Sequence, residues 1–204
     1  MWTSLEQTSA AGIVLAGGRS TRFGSDKLAV LHRGMPLLHH AVVRFAEVCP
    51  EVIVVLAPEA AEPSMPIGVR VRVVRDPTEG EGPLAGLHAG LLSAAGSEWA
   101  LVAGGDMPDL QTAVLLEMLR VAAESPGNAV ALQDGDAFRP LPCVVRTGPA
   151  LDAAHMLLHA GRRRLRELLH ALRTAVIDEP TWHMLDPDAR TLLDVDTPED
   201  LPAP

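Results

Sequence analysis

"GIVLAGGRSTRFGSDKLAV", residues 12–30, decides how the rest of the chain is read. GIVLA is short, unbroken and branched, as a parallel strand buried on both faces is. It runs into a loop holding Gly17, Gly18 and Gly24, with Arg19, Arg22 and Lys27 as its charges. Glycines let backbone amides close on an anion, and the basic side chains would complete a phosphate cradle. By themselves the glycines describe only a strand-to-helix turn with solvated charges. Two familiar phosphate loops do not fit. GxGxxG fails because Arg-Ser-Thr-Arg-Phe follows Gly18 before Gly24 is reached. GxxxxGK[ST] fails because five residues separate those glycines and Lys27 lies three beyond the second.

Outward from this stretch the strand pattern recurs. "EVIVVLA" (51–57), "VRVRVVRD" (69–76) and "EWALVAGGD" (98–106) read as buried parallel strands, with "RTLLDVD" (190–196) a weaker candidate. Amphipathic stretches lie between them. Pro36 is placed in the first turn of a helix over "PLLHHAVVRFAEV". Further helices are predicted over 83–95, 109–124, 150–161 and 162–172. The alternation predicts an α/β fold of three layers, a mostly parallel sheet with helices on both faces. Such a sheet takes its ligands beyond the carboxyl ends of its strands. The chain reads as one domain over 1–204, with 1–11 a short flexible tail and 58–68 and 77–83 surface loops.

Composition narrows the function. At 48% hydrophobic and 21% charged residues the chain reads as globular rather than disordered. A net charge of −9 lacks the basic face of a nucleic-acid binder, yet leaves room for a local anion pocket. Cys49 and Cys143 stand far apart with no CxxC, against a disulfide framework or structural zinc. No signal-like start or membrane-length apolar run is read, so the expectation is a cytoplasmic protein without a membrane partner. His155 and His159, in "HMLLH", lack the Glu of HExxH, and Ser20 and Thr21 have no His nearby in sequence to make them nucleophiles.

A third ordered pattern does fit. "LAGGRSTRFGSDK" (15–27) resembles the signature loop LAGG-x-S-x-R-[FM]-G-x-D-K of the MobA-like nucleotidyltransferases, the superfamily of the molybdenum cofactor guanylyltransferases. The resemblance runs over nearly the whole chain. "RDPTEGEGPLAGLHAGL" (75–91) is similar to the family's D-x(n)-GPLAG segment, and LAGG together with GPLAG marks the guanine-using branch. "LVAGGDMPDL" (101–110) resembles the motif that carries the family's metal-binding Asp. "LLDVDTPEDL" (192–201) stands where N-x-N-TPE is common, with two acids in place of two amides. "FRPLPCVVR" (138–146) stands where the family has a His-Pro or Arg-Pro segment facing the acceptor.

The resemblance implies a Rossmann-like nucleotidyltransferase fold and a set of site residues. Leu15, Ala16, Gly17, Gly18, Arg22, Lys27, Asp76, Gly82, Pro83 and Leu84 would bind the nucleotide, with Arg22 and Lys27 as the catalytic charges. Asp106 would hold Mg²⁺, with Asp196 a second candidate ligand. Arg139, Asp194 and Asp196 would face the acceptor. If "LLDVD" is a strand, Asp194 and Asp196 share a face; the plain alternative is an Asp-rich turn with Thr197 capping a last helical turn at Pro198-Glu199. For Asp106 the plain alternative is a helix cap, and for "FRPLPCVVR" a surface hairpin. The implied reaction moves GMP from GTP to the terminal phosphate of Mo-molybdopterin. CTP with molybdopterin, or an NTP with a sugar or alcohol phosphate, is the nearest rival. A nucleotide sensor and a maturation chaperone are the others. The basic run "GRRRLREL" (161–168) reads as a solvated helix face, or else as a patch for an anionic pterin or a molybdopterin-delivering or molybdoenzyme-maturation protein.

Overall fold

In the first strand the side chains divide by parity, which is what burial on two faces requires. Ala10, Val14 and Ala16 join one apolar cluster, while Ala11 and Ile13 join another. The computed structural model describes residues 10–17, 27–77, 81–197 and 200. Its seven-stranded sheet has β1 (Ala10–Ala16) at the middle of a parallel block with β4 (Val52–Leu56), β5 (Val71–Arg75) and β6 (Trp99–Gly104). The order across the sheet is β5-β4-β1-β6-β8-β7-β9, where β7 is Ala129–Asp134, β8 Ala137–Arg146 and β9 Thr174–Ile177. β8 runs antiparallel to both β6 and β7, and every other pairing in this sheet is parallel. The opposed direction brings the start of β8 to the edge where the parallel strands end. A separate two-residue ladder joins β2 (Leu31–His32) to β3 (Met35–Pro36).

Among the described residues six helices cover the two faces. One face packs against α1 (Leu37–Ala46), α3 (Thr112–Glu124) and α6 (Glu179–His183), through Phe45, Leu115, Met118 and Trp182 among others. The other packs against α2 (Pro83–Ser93), α4 (Thr147–His159) and α5 (Leu165–Ala171), through Leu84, Leu87, Ala154 and Leu168. This is the three-layer fold the alternation predicted. α2 sits unusually close to the sheet. A Cβ on Gly90 would stand 2.7 Å from Ile13 Cγ2 and 3.1 Å from Val55 Cγ2, so only glycine permits this approach.

Several expectations need correction. β1 begins at Ala10, so Ala10 and Ala11 are strand residues paired with Trp99 and Ala100 rather than part of a tail. β5 is a half-buried edge strand, not a fully buried one. Pro36 is the N-cap of α1 rather than a first-turn residue. α3 starts at Thr112, α4 already at Thr147, and α5 only at Leu165, which leaves Arg162, Arg163 and Arg164 ahead of the helix. "FRPLPCVVR" belongs to β8, which does form a hairpin with β7 but lies within the sheet between β6 and β7 rather than at its surface. "RTLLDVD" is no strand. Arg190–Leu192 forms a 3₁₀ turn, entered through Ala189 at φ 53° and held by Asp186, whose Oδ2 accepts from the Thr191 N–H at 2.7 Å. The segment then leaves extended but outside any ladder. Among the described residues no helix is long and apolar enough to cross a membrane.

Candidate functional site at the carboxyl edge of the sheet

β1 and β6 end side by side, and the site is built where they stop. The Gly105 N–H donates to Leu15 O at 2.9 Å, tying the turn after β6 to the end of β1. Gly17 continues β1 so close to the exit of β4 that a Cβ there would lie 3.3 Å from the Ala57 nitrogen. Gly18, Arg19, Arg22 and Gly24 of the loop lie outside the described residues.

Lys27 opens a 3₁₀ turn (Lys27–Ala29) and is 8% exposed. Its Nζ donates to Asp106 Oδ2 at 2.9 Å and to Asp196 Oδ1 at 3.2 Å. Two carboxylates, 90 residues apart in the chain, thus converge on one cationic centre. The convergence is braced by the Val195 N–H, which donates to Asp106 O at 2.9 Å. Asp200 holds the end of the same segment, accepting from the backbone N–H groups of Asp196 and Thr197 and from the Thr197 hydroxyl. These bonds keep the Asp200 carboxyl below the usual range. They also make Asp200, rather than Thr197, the capping acceptor; the helical turn expected at Pro198-Glu199 lies outside the described residues.

Asp194 is half-exposed and lies beside the same group. Burial raises its pKa, and the charges of Asp196 and Asp106 add to this against the opposing pull of Arg139. Arg139 comes from the start of β8. Its Nη2 donates to Leu192 O at 3.1 Å and stands 3.6 Å from Asp194 Oδ1, while Nη1 stands 3.6 Å from Asp134 Oδ2. So Asp194 and Asp196 do reach one site, placed there by the 3₁₀ turn and the bond to Asp106, not by strand alternation. Asp106 is no helix cap, because α3 begins six residues later with Gln111 before it.

A second group lies around the start of α2. Gly86 leaves space in which a Cβ would stand 3.8 Å from both Asp76 Oδ2 and Leu15 Cδ2. Gly82 is at φ 80°, and a Cβ on it would stand 3.1 Å from Arg163 O. The Leu84 N–H donates to that same Arg163 O at 3.3 Å, and Ala85 N–H donates to Gly82 O. The turn is therefore pinned from outside, and the Leu84 amide is already engaged. Arg163 also pairs with Glu81 at 3.2 Å. Its neighbours in the basic run are exposed but engaged: Arg162 pairs with Glu167, and Arg166 lies over the Phe138 ring and donates to Phe138 O.

Sequence reading passed over one signal for the central cation. Lys27 is the only lysine in the chain; the other 16 basic residues of the Lys and Arg total of 17 are arginines. Arginine and lysine are not interchangeable where a compact ammonium is needed, so a solitary lysine marks a position under chemical constraint. Among the described residues no group of three His, Cys, Asp or Glu is placed to hold a metal ion by itself. A magnesium ion does not need one, since it takes one or two carboxylates and fills its shell with water and phosphate oxygens. Asp106 and Asp196, already sharing one cation, are a donor set of that kind. His155 and His159 stack edge-on at 4.5 Å with His88 beside them, a ring cluster rather than a zinc site.

Comparison with known proteins gives the family and the fold. A family model described as the MobA-like NTP transferase domain matches residues 12–176. A probable molybdenum cofactor guanylyltransferase of Chloroflexus aggregans is 37% identical, over 94% of this chain and 91% of that protein. A molybdenum cofactor guanylyltransferase of Desulfosudis oleivorans is 29% identical, over 95% and 93%. Among solved structures, molybdopterin-guanine dinucleotide biosynthesis protein A of Archaeoglobus fulgidus superposes with a TM-score of 0.75 at 21% identity, covering 93% of this chain and 94% of that one.

Proposed function

The chain belongs to the MobA-like NTP transferase family, and from that premise we propose that it transfers GMP from GTP to the terminal phosphate of Mo-molybdopterin. A non-bridging oxygen of the acceptor phosphate attacks the α-phosphorus of GTP. The bond from that phosphorus to the α–β bridging oxygen breaks, and pyrophosphate leaves. The products are the molybdopterin guanine dinucleotide cofactor and pyrophosphate. The observation that carries the reading is the Lys27 ammonium held between Asp106 and Asp196 at the carboxyl edge of the sheet. The names of the relatives supply the base and the acceptor.

The acceptor phosphate needs no general base, because a phosphomonoester's second pKa is about 6. Catalysis then rests on alignment and on charge stabilisation. Lys27, with Arg22 and the amides of Gly17 and Gly18, holds the triphosphate and stabilises the leaving pyrophosphate. Leu15, Ala16, Asp76, Gly82, Pro83 and Leu84 enclose the nucleoside. Arg139 meets the acceptor phosphate, with Asp194 setting its direction. Asp106 and Asp196 would hold Mg²⁺, which supplies charge neutralisation between phosphate oxygens when bound. Two buried free thiols, each pushed up to about 12 by desolvation, suit the reducing cytoplasm, where we place the reaction.

The test is a matrix of GTP, CTP, ATP and UTP with Mg²⁺, with and without Mo-molybdopterin, scored by pyrophosphate and dinucleotide product. GTP with Mo-molybdopterin is expected to give both. Product with CTP and none with GTP would overturn the guanine assignment; in a further arm with a sugar phosphate in place of Mo-molybdopterin, turnover there and none with Mo-molybdopterin would overturn the acceptor.

A further inference from the structure

The turn of the short β2–β3 ladder carries a contact that the proposed reaction does not use. Arg33, at φ 50° beside Gly34 at φ 79°, forms the tip of this hairpin. Its guanidinium forks onto Asp109, with Nη1 to Oδ1 at 2.7 Å and Nη2 to Oδ2 at 3.1 Å. Asp109 is nearly buried and Arg33 half-exposed. The two residues are 76 apart in the chain, but each stands close to a member of the central pair. Arg33 follows Lys27 through a short, stiff path. Val30 N–H bonds back to Lys27 O, Leu37 N–H bonds to Val30 O, and the two-residue ladder fixes the hairpin. Asp109 follows Asp106 between Met107 and Leu110, both buried in the core.

We propose that Arg33 and Asp109 form a latch that sets the position of Lys27 against Asp106. The contacts Lys27–Asp106 and Arg33–Asp109 close one ring between the same two loops. Once either is formed, the other is made at little further cost in loop closure, so the two are coupled. A bidentate fork fixes distance and direction together, which a single point charge does not. Arg33 and Asp109 are thus positioning residues, acting on the phosphate-binding lysine from outside the site.

The solitary lysine makes the latch measurable without turnover. Lys27 is the only side-chain amine in the chain, so its acetylation by sulfo-N-hydroxysuccinimidyl acetate can be followed by peptide mass spectrometry, apart from the α-amine. An ion-paired, buried ammonium reacts slowly. Arg33→Ala and Asp109→Asn are each expected to speed acetylation of Lys27 at least about threefold and to lower kcat for pyrophosphate release about tenfold, because small misplacements of a catalytic group are costly. KM for GTP should stay within about twofold, and the double variant should be no worse than either single one, as coupling requires. Arg33→Lys, which keeps the charge and loses the fork, should recover only part of the rate. Unchanged acetylation and kcat in a folded variant would overturn the latch. So would a rise in KM at unchanged kcat, which would make Arg33 a binding group. The kinetic arm rests on the proposed reaction and the labelling arm does not. If the wild-type protein gives no pyrophosphate with GTP, the reaction falls while acetylation still decides the latch.

Discussion

Lys27 puts a compact charge where two carboxylates converge, and its replacements separate charge from shape. Lys27→Arg keeps the charge but spreads it over a plane too wide for the gap between Asp106 and Asp196. We expect it to lose on the order of 10²-fold in kcat, comparable to removing one transition-state donor, with the melting temperature barely changed. Asp106→Asn should raise the Mg²⁺ concentration for half-maximal rate at least about tenfold; coincident titration curves would remove Asp106 from the metal site. A third residue is expected to contribute to acid stability. His32 is buried, neither of its ring nitrogens has a hydrogen-bond partner among the described residues, and desolvation lowers its pKa from 6.5, with Arg33 and His40 adding to the shift and Asp109 opposing it. The unfolded chain therefore takes up this proton first. The contribution of neutral His32 is full above about pH 6.5 and is lost as pH falls toward its folded value. Melts at pH 7.5 and 5.5 should show a fall that His32→Leu makes shallower; equal slopes would clear His32 of the effect. Lys27 and Asp106 were legible because each sits in a local motif. The Arg33–Asp109 pair was not, since only the folded chain brings the two together.

The elements most readily legible were the parallel strands, whose continuous apolar runs announce burial on both faces. β8 was hidden by its own composition. Pro140 and Pro142 argue against a central strand, because proline cannot donate to a ladder. The register explains how they are tolerated. The pairing with β6 spans only Cys143 to Arg146, and the pairing with β7 is interrupted between Ala131 and Gln133, where the prolines pass. The carboxylates of "RTLLDVD" stand beside Lys27 and Arg139, but strand alternation does not put them there, since a left-handed Ala189 and the Asp186 cap turn that segment before it can pair. The close seat of α2 gives a test at this scale. Gly90→Ala would drive a methyl into Ile13 and Val55, neither a flexible chain end. We expect a loss of about 1–3 kcal/mol, as overpacking typically costs, read by urea denaturation. A neutral result would show that the helix can lift away freely.

Across the whole molecule the proposed roles fall in chain order. The groups assigned to the nucleotide and its triphosphate lie between Leu15 and Asp106. Those assigned to the acceptor begin with Arg139 and end with Asp196, which also serves the metal. The opposed strand makes this partition possible, because it starts at the ligand edge and delivers Arg139 there without another crossover. The consequence we expect is modularity: on these assignments, one splice in the connection between α3 and β7 should exchange donor and acceptor recognition between relatives. The splice crosses several contacts: β8 pairs with β6, Asp196 meets Lys27, Val195 meets Asp106, and a further brace lies at α2. Arg163 belongs to the second half of the chain, yet its carbonyl and side chain brace Leu84 and Glu81 in the first. A hybrid that carries Arg163 across without its Glu81 partner would import a new acceptor pocket and, with it, a loosened grip on the base.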